Sequence, residues 1–210
     1  MSNDNSKTRG YFKFALAVDC ETTGLAIGCD DPSYNDNTGE LYQAISWGMV
    51  VVDGETFEPV DELYVEIQYD NKSVWNTRAE GVHGLSRKYL AENGMTQEDA
   101  VVEIASLILK YWGPDVPVVL IGHNVATFDL PFLRRTLRTQ DINIKFANRH
   151  LDSWSVGYTT LQSYNSDDLF ECVGLPVRDP TKHNALDDAH RAVEALRRIR
   201  AIYNHVIEGN

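Results

Sequence analysis

Residues 116–121 read VPVVLI, a run without one polar side chain and mostly β-branched, closed off by Gly113-Pro114 before it and Gly122 after it. A segment this short, apolar on both of its alternating faces, is stable only where both faces are covered, as in an interior parallel strand with helices above and below. The flanking patterns agree. Upstream, Thr96 can cap a helix whose first turn carries Gln97, Glu98 and Asp99, and Val101, Ile104, Ala105, Ile108 and Trp112 recur at helical spacing up to Gly113. Downstream, a helix is expected over about 130–139, with Pro131 tolerated in its first turn.

The rest of the chain fits around this unit. Residues 11–18 (YFKFALAV) read as a buried strand, and 44–52 and 57–67 as two more strands, joined by an Asp53-Gly54 turn into an antiparallel meander. A strand is expected at 145–151, a short helix at 166–173 and a long amphipathic helix at 184–206, while 81–86 (GVHGLS) reads as a polar turn. This order gives an α/β domain with a mixed sheet. No repeat, low-complexity tract or linker interrupts it. A flexible N-terminus (1–10) therefore precedes a single domain (11–207), which carries a polar loop insertion at about 26–43 rich in Asp, Asn, Gly, Pro and Ser.

No apolar run approaches the roughly 18 residues that span a bilayer, and the start MSNDNSKTRGY lacks the apolar core of a signal peptide, so a cytoplasmic protein without a membrane partner is expected. Cys20, Cys29 and Cys172 are odd in number and far apart, which favours reduced thiols over a disulfide framework or a zinc site. The net charge of −12 argues at first against nucleic acid. It is unevenly distributed, however: residues 30–99 hold 15 acidic and 4 basic side chains, and the remainder holds 16 and 15. Arg134, Arg135, Arg138, Lys145, Arg149, Arg178 and Lys182 are therefore available as a local phosphate-binding rim.

Three constellations carry chemistry. Asp19 and Glu21 stand two apart at the end of the first strand, so strand periodicity puts both carboxylates on one face with Ala15 and Ala17. Side by side, such anions repel unless a cation binds between them, although a lone pair of this kind is also consistent with two solvated carboxylates. The second constellation, 121–135 (IGHNVATFDLPFLRR), ends an apolar strand in His123 and Asn124 and opens a helix with Asp129, which is either a helix cap or a site residue at the carboxyl end of an interior strand. In the third, 183–196 (HNALDDAHRAVEAL), His183 precedes the last helix and Asp188 lies in its first turns, either as a surface histidine and a dipole-complementing acid or as part of the same site.

Together these segments resemble the DEDDh family of 3′→5′ exonucleases, the ribonuclease-H-like group that includes the polymerase III proofreading subunit, oligoribonuclease and ribonuclease T. The D-x-E-T-T-G motif is matched by Asp19, Glu21, Thr22, Thr23 and Gly24, the H-N-x-x-x-F-D motif by His123, Asn124, Phe128 and Asp129, and the H-x-A-x-x-D motif by His183, Ala185 and Asp188. The family's V-H-G and L-D-S segments appear at Val82, His83, Gly84 and at Leu151, Asp152, Ser153. The insertion after Leu25 departs from the family pattern; it is a lid, a substrate guide, a partner contact or a tolerated surface loop.

The resemblance implies a ribonuclease-H-like mixed five-stranded sheet, an antiparallel meander of strands 1–3 plus parallel strands, flanked by helices. It also implies two divalent cations, Mg²⁺ or Mn²⁺, with Asp19 bridging both, Glu21 and Asp188 on the nucleophile side and Asp129 contributing directly or through water. His183 is the implied general base, since an ordinary pKa near 6.5 lets it accept a proton at neutral pH. Thr22, Thr23, Leu25, His83 and Asn124 would line the terminal-nucleotide pocket, while His123 is as readily a packed histidine. The expected activity is 3′→5′ release of nucleoside 5′-monophosphates from single-stranded DNA ends, with short RNA as the alternative substrate. A polymerase or a second copy of the chain is the expected protein partner. A non-catalytic polymerase-associated scaffold is the reading from another class, disfavoured because all four carboxylates and the histidine are present, and a carboxylate-rich set with one histidine disfavours a zinc hydrolase.

Overall fold

The computed structural model describes residues 12–25, 42–179 and 183–208. The expected N-terminal arm, nearly all of the 26–43 insertion and Lys182 lie outside the described residues. The elements are β1 (Phe14–Thr22), β2 (Ala44–Asp53), β3 (Pro59–Glu66), α1 (Thr77–His83), α2 (Arg87–Asn93), α3 (Gln97–Trp112), β4 (Leu120–Gly122), α4 (Asp129–Arg138), β5 (Leu151–Asp152), α5 (Ser153–Leu161), α6 (Ser166–Cys172) and α7 (Ala185–Glu208). The strands form one sheet in the order β3-β2-β1-β4-β5. Pairs β1–β2 and β2–β3 are antiparallel, and β4 runs parallel to both β1 and β5, so the mixed α/β sheet is the one expected from the sequence.

The faces of β1 divide the core. Leu16, Val18 and Cys20 point into a cluster with Val101, Ile104 and Ile108 of α3 and with Leu130, Phe132 and Leu133 of α4. Ala15 and Ala17 point the other way, against Ala189, Val193 and Leu196 of α7. Small residues on that face bring α7 close to the sheet, and burial of the apolar stripes holds the three layers together at roughly 25 cal/mol per Å² of apolar surface. Among the described residues no helix is long and apolar enough to cross a membrane.

Several boundaries differ from the sequence expectation. The apolar run at 116–121 pairs as a strand only from Leu120 to Gly122; Val118 makes an isolated bridge to Phe146, and Pro117 has no N–H for a ladder. The strand expected at 145–151 shrinks to Leu151–Asp152, because the chain leaves the sheet after Phe146 and His150 Nδ1 accepts the Leu120 N–H at 3.1 Å in place of a backbone carbonyl. Phe57 takes φ 61° in the turn after β2, where Asp53 Oδ1 accepts from the N–H groups of Glu55 and Thr56, so β3 begins later than residue 57. The polar stretch at 81–86 ends one short helix and starts another: Asn76 caps α1, left-handed Gly84 stops it, and Ser86 caps α2.

Candidate active site

The site lies at the carboxyl ends of β1 and β4, where helices from both layers converge on the sheet. Asp19 and Glu21 share the α7 face of β1, as strand periodicity requires. Asp19 is opposite Gly48 of β2, where a Cβ would fall 2.1 Å from both Ala185 C and Leu186 N; glycine there lets the first turn of α7 approach and carry Asp188 over the two carboxylates. Asp129 enters from the other layer as the first residue of α4 and is 2% exposed. The start of α4 has Phe128 at the cap position and no side-chain capping bond, so Asp129 does not cap the helix.

Asp19, Glu21 and Asp188 line a cleft of about 400 Å³, whose wall also includes Thr22, Leu25, His83, Asn124 and His183; Asp129 is buried and is not on that wall. Ligand atoms of Glu21, His183 and Asp188 lie within 4.8 Å of one another. His183 Nδ1 is 3.8 Å from Asp188 Oδ2, and the His183 backbone N–H is held by Val82 O at 3.3 Å.

Electrostatically the cleft is a cluster of carboxylates with Arg178 as a counter-charge. Burial pushes the Asp19 carboxyl well above its usual range, and the charges of Asp129, Asp188 and Glu21 add to this. Glu21 is pushed up to about 7 by burial and by Asp188. Asp129 is also pushed up to about 7, chiefly by burial, although the adjacent Cys20 thiol and backbone partly offset the rise. Asp129 Oδ1 is buried without a hydrogen-bond partner among the described residues. Burial raises Asp188 too, opposed by the Arg178 guanidinium 2.6 Å away. Burial and the Arg178 guanidinium lower His183 below the usual imidazole range, so they favour its neutral form. Converging hard oxygen donors, one of them orphaned, are the donor set that suits Mg²⁺ or Mn²⁺; Asp19, Glu21, Asp129 and Asp188 could hold such ions.

The remaining candidates are placed differently from one another. Thr22 lies on the cleft, its hydroxyl donating to Gly24 O at 2.7 Å. Thr23 is fully buried and its Oγ1 accepts the Gln43 N–H at 3.0 Å, so its side chain pins the loop and does not face the cleft. Leu25 projects from the rim, 82% exposed. His83 is buried beside the cleft, with Nδ1 accepting from Leu85 N at 3.0 Å. Asn124 takes φ 63°, and its N–H bonds to Asp152 Oδ1, which also caps α5. His123 is half-buried on the cleft wall, with Nδ1 3.2 Å from Ser153 Oγ. Asp187 pairs with Arg191 at 2.6 Å, away from the cleft.

Of the expected basic rim only Arg178 is on the cleft wall among the described residues; Lys182 lies outside them, and Arg149 lines a different pocket. Arg135 turns inward to Tyr42 O, Lys145 pairs with Asp115, and Arg134, Arg138 and Lys145 line a separate groove beside α4, most of whose ten residues, about 15 Å, separate Arg138 from Asp129. Sequence reasoning did not foresee Arg178 bonded to a site carboxylate or Cys20 against Asp129. For Cys20 the signal was present, since the residue between Asp19 and Glu21 must point to the opposite layer.

The profile of the RNase_T exonuclease family matches residues 16–196. No curated protein matches the sequence. Among solved structures the chain is similar to E. coli exonuclease I: a complex with a dT13 oligonucleotide superposes with a TM-score of 0.70 at 15% identity over 93% of this chain and 44% of that one. A zinc-bound complex with single-stranded DNA gives 0.70 at 14% identity over 93% and 42%, and a structure described as suggesting how processivity is achieved gives 0.69 at 15% over 90% and 41%. The chain thus spans less than half the length of these structures. With the family profile covering most of its length and all three acidic motifs meeting in one cleft, the chain belongs to the DEDDh exonuclease family of ribonuclease-H-like fold.

Proposed function

We propose that the protein is a divalent-cation-dependent 3′→5′ exonuclease that releases nucleoside 5′-monophosphates from single-stranded DNA ends, with His183 as general base. The observation that carries the reading is the meeting of Glu21, His183 and Asp188 within 4.8 Å in a cleft that also exposes Asp19. Cations held by Asp19, Glu21, Asp129 and Asp188 would offset the charge of the phosphate and of the departing 3′-oxygen. Neutral His183 accepts the proton of the attacking water, and its proximity to Asp188 stabilises the imidazolium that results. Leu25 and Val82, 82% and 41% exposed, offer apolar surface on which the terminal base can pack, and Thr22, His83 and Asn124 line the same pocket. Single-stranded DNA is preferred over RNA because the exonuclease I structures with the same fold hold DNA oligonucleotides.

Incubating the protein with 3′- and 5′-labelled single-stranded DNA, duplex DNA and short RNA, in Mg²⁺, Mn²⁺ or EDTA, tests this reading. The expected result is immediate release of the 3′ label, a descending ladder from the 5′-labelled strand and faster turnover of single-stranded DNA than of RNA or duplex. Faster turnover of short RNA would replace the substrate assignment, and release from the 5′ end would overturn the polarity.

A further inference from the structure

Arg178 lies in the loop before the last motif and forms part of the cleft wall, its side chain only 12% exposed. Its guanidinium donates from Nη1 to Asp188 Oδ2 at 2.6 Å, from Nε to Asp167 Oδ1 at 2.6 Å and from Nη2 to Ser166 Oγ at 2.9 Å, and it sits 5.6 Å from the Phe170 ring centroid. The same Asp188 oxygen faces His183. A fixed positive charge thus rests on one of the carboxylates assigned to cations.

A residue that only pinned α6 to this loop would need Asp167 and Ser166; the bond to Asp188 is additional, and it is the most buried of the guanidinium's ion pairs. It has two electrostatic consequences. A divalent cation approaching Asp188 must share that carboxylate with a charge-assisted hydrogen bond and is repelled by the guanidinium. Once two divalent cations have balanced the four carboxylates, Arg178 is the only Lys or Arg among the described residues of the cleft wall to offset the single negative charge of a phosphodiester.

We propose that Arg178 is a built-in counter-ion of the cleft, one that weakens divalent-cation binding by holding Asp188 and strengthens nucleotide binding by offsetting the phosphate. The proposal rests on the reading of the cleft as a cation and nucleotide site. An arginine suits the task because its planar fork holds three partners at once while its charge stays in place.

The test uses the full chain as wild type, Arg178→Met and Arg178→Lys, with circular dichroism to confirm folding. Mn²⁺ affinity is read from the electron paramagnetic resonance signal of the free ion, and thymidine 5′-monophosphate affinity by calorimetry in saturating Mn²⁺. Arg178→Met should bind Mn²⁺ about tenfold tighter and the nucleotide about tenfold more weakly, the scale of a lost charged hydrogen bond. Arg178→Lys, which keeps the charge without the fork, should stay near wild type on both. Unchanged affinities, or a parallel loss of both in Arg178→Met, would overturn the proposal. So would loss of both in Arg178→Lys, even if Arg178→Met does not fold. A wild type that binds no Mn²⁺ would instead bring down the cation reading beneath it.

Discussion

Asp129 holds a carboxyl that is 2% exposed, has one oxygen without a partner among the described residues and titrates near 7, a state that lowers the stability of the cation-free fold. Asp129→Asn removes the buried charge, so in EDTA at pH 8 its melting temperature should rise, by about 2–4 °C for each kcal/mol recovered, while nucleotide release falls by more than about a hundredfold. A lower melting temperature would contradict the burial argument, and retained activity would remove Asp129 from the site. Glu21 and Asp129 also set a pH dependence. Both are raised from their ordinary values to about 7, so their folded state favours the proton, and the stability they contribute is present below about pH 4 and lost as the pH rises through 7. Cations remove that loss, so the melting-temperature difference between Mg²⁺ and EDTA should grow from pH 5 to pH 8; a constant or shrinking difference would show that the carboxyls are already compensated. Asp19 and Glu21 were legible in the sequence because a strand alternates strictly. The inward turn of Thr23 and the grip of Arg178 on Asp188 were not, because both lie in irregular backbone with no period to read.

At the scale of elements, the site depends on how closely α7 sits on the sheet. Gly48 makes room for the backbone of Ala185 and Leu186, directly opposite Asp19. Gly48→Ala should displace the first turn of α7, destabilising the fold by about 1–3 kcal/mol as an overpacking change and lowering activity more than stability, since Asp188 and His183 move with that turn. Chemical denaturation combined with nucleotide-release assays checks this; a stable, fully active variant would show that the approach of α7 is not needed. Long periodic elements were legible: α3 and α7 begin within one residue of their expected starts, since a cap or a sustained apolar stripe marks each. The short helices α1, α2 and α5 were not. Each has only seven or nine residues, too few to show an amphipathic period, and α1 and α5 each contain a glycine. The ends of β4 and β5 were missed because apolar composition marks burial, whereas pairing depends on Pro117 and on the His150 side chain.

For the whole molecule, the net charge of −12 describes its partner poorly. Most of it falls in residues 30–99, whereas residues 130–150 carry five basic side chains and a single acidic one, the exposed Asp141. On the proposed reading, the acids that bear on the substrate are Asp19, Glu21, Asp129 and Asp188, whose negative charge would recruit cations instead of repelling nucleic acid. On the proposed reading these carboxylates act through divalent cations, in a fold that does not depend on them for core packing. The most direct test is nucleotide release from single-stranded DNA by wild type and Asp19→Ala, each in Mg²⁺ and in EDTA, with circular dichroism on both proteins. Release is expected only from wild type in Mg²⁺, with Asp19→Ala folded and inactive. Release in EDTA, or a folded Asp19→Ala as active as wild type in Mg²⁺, would contradict it.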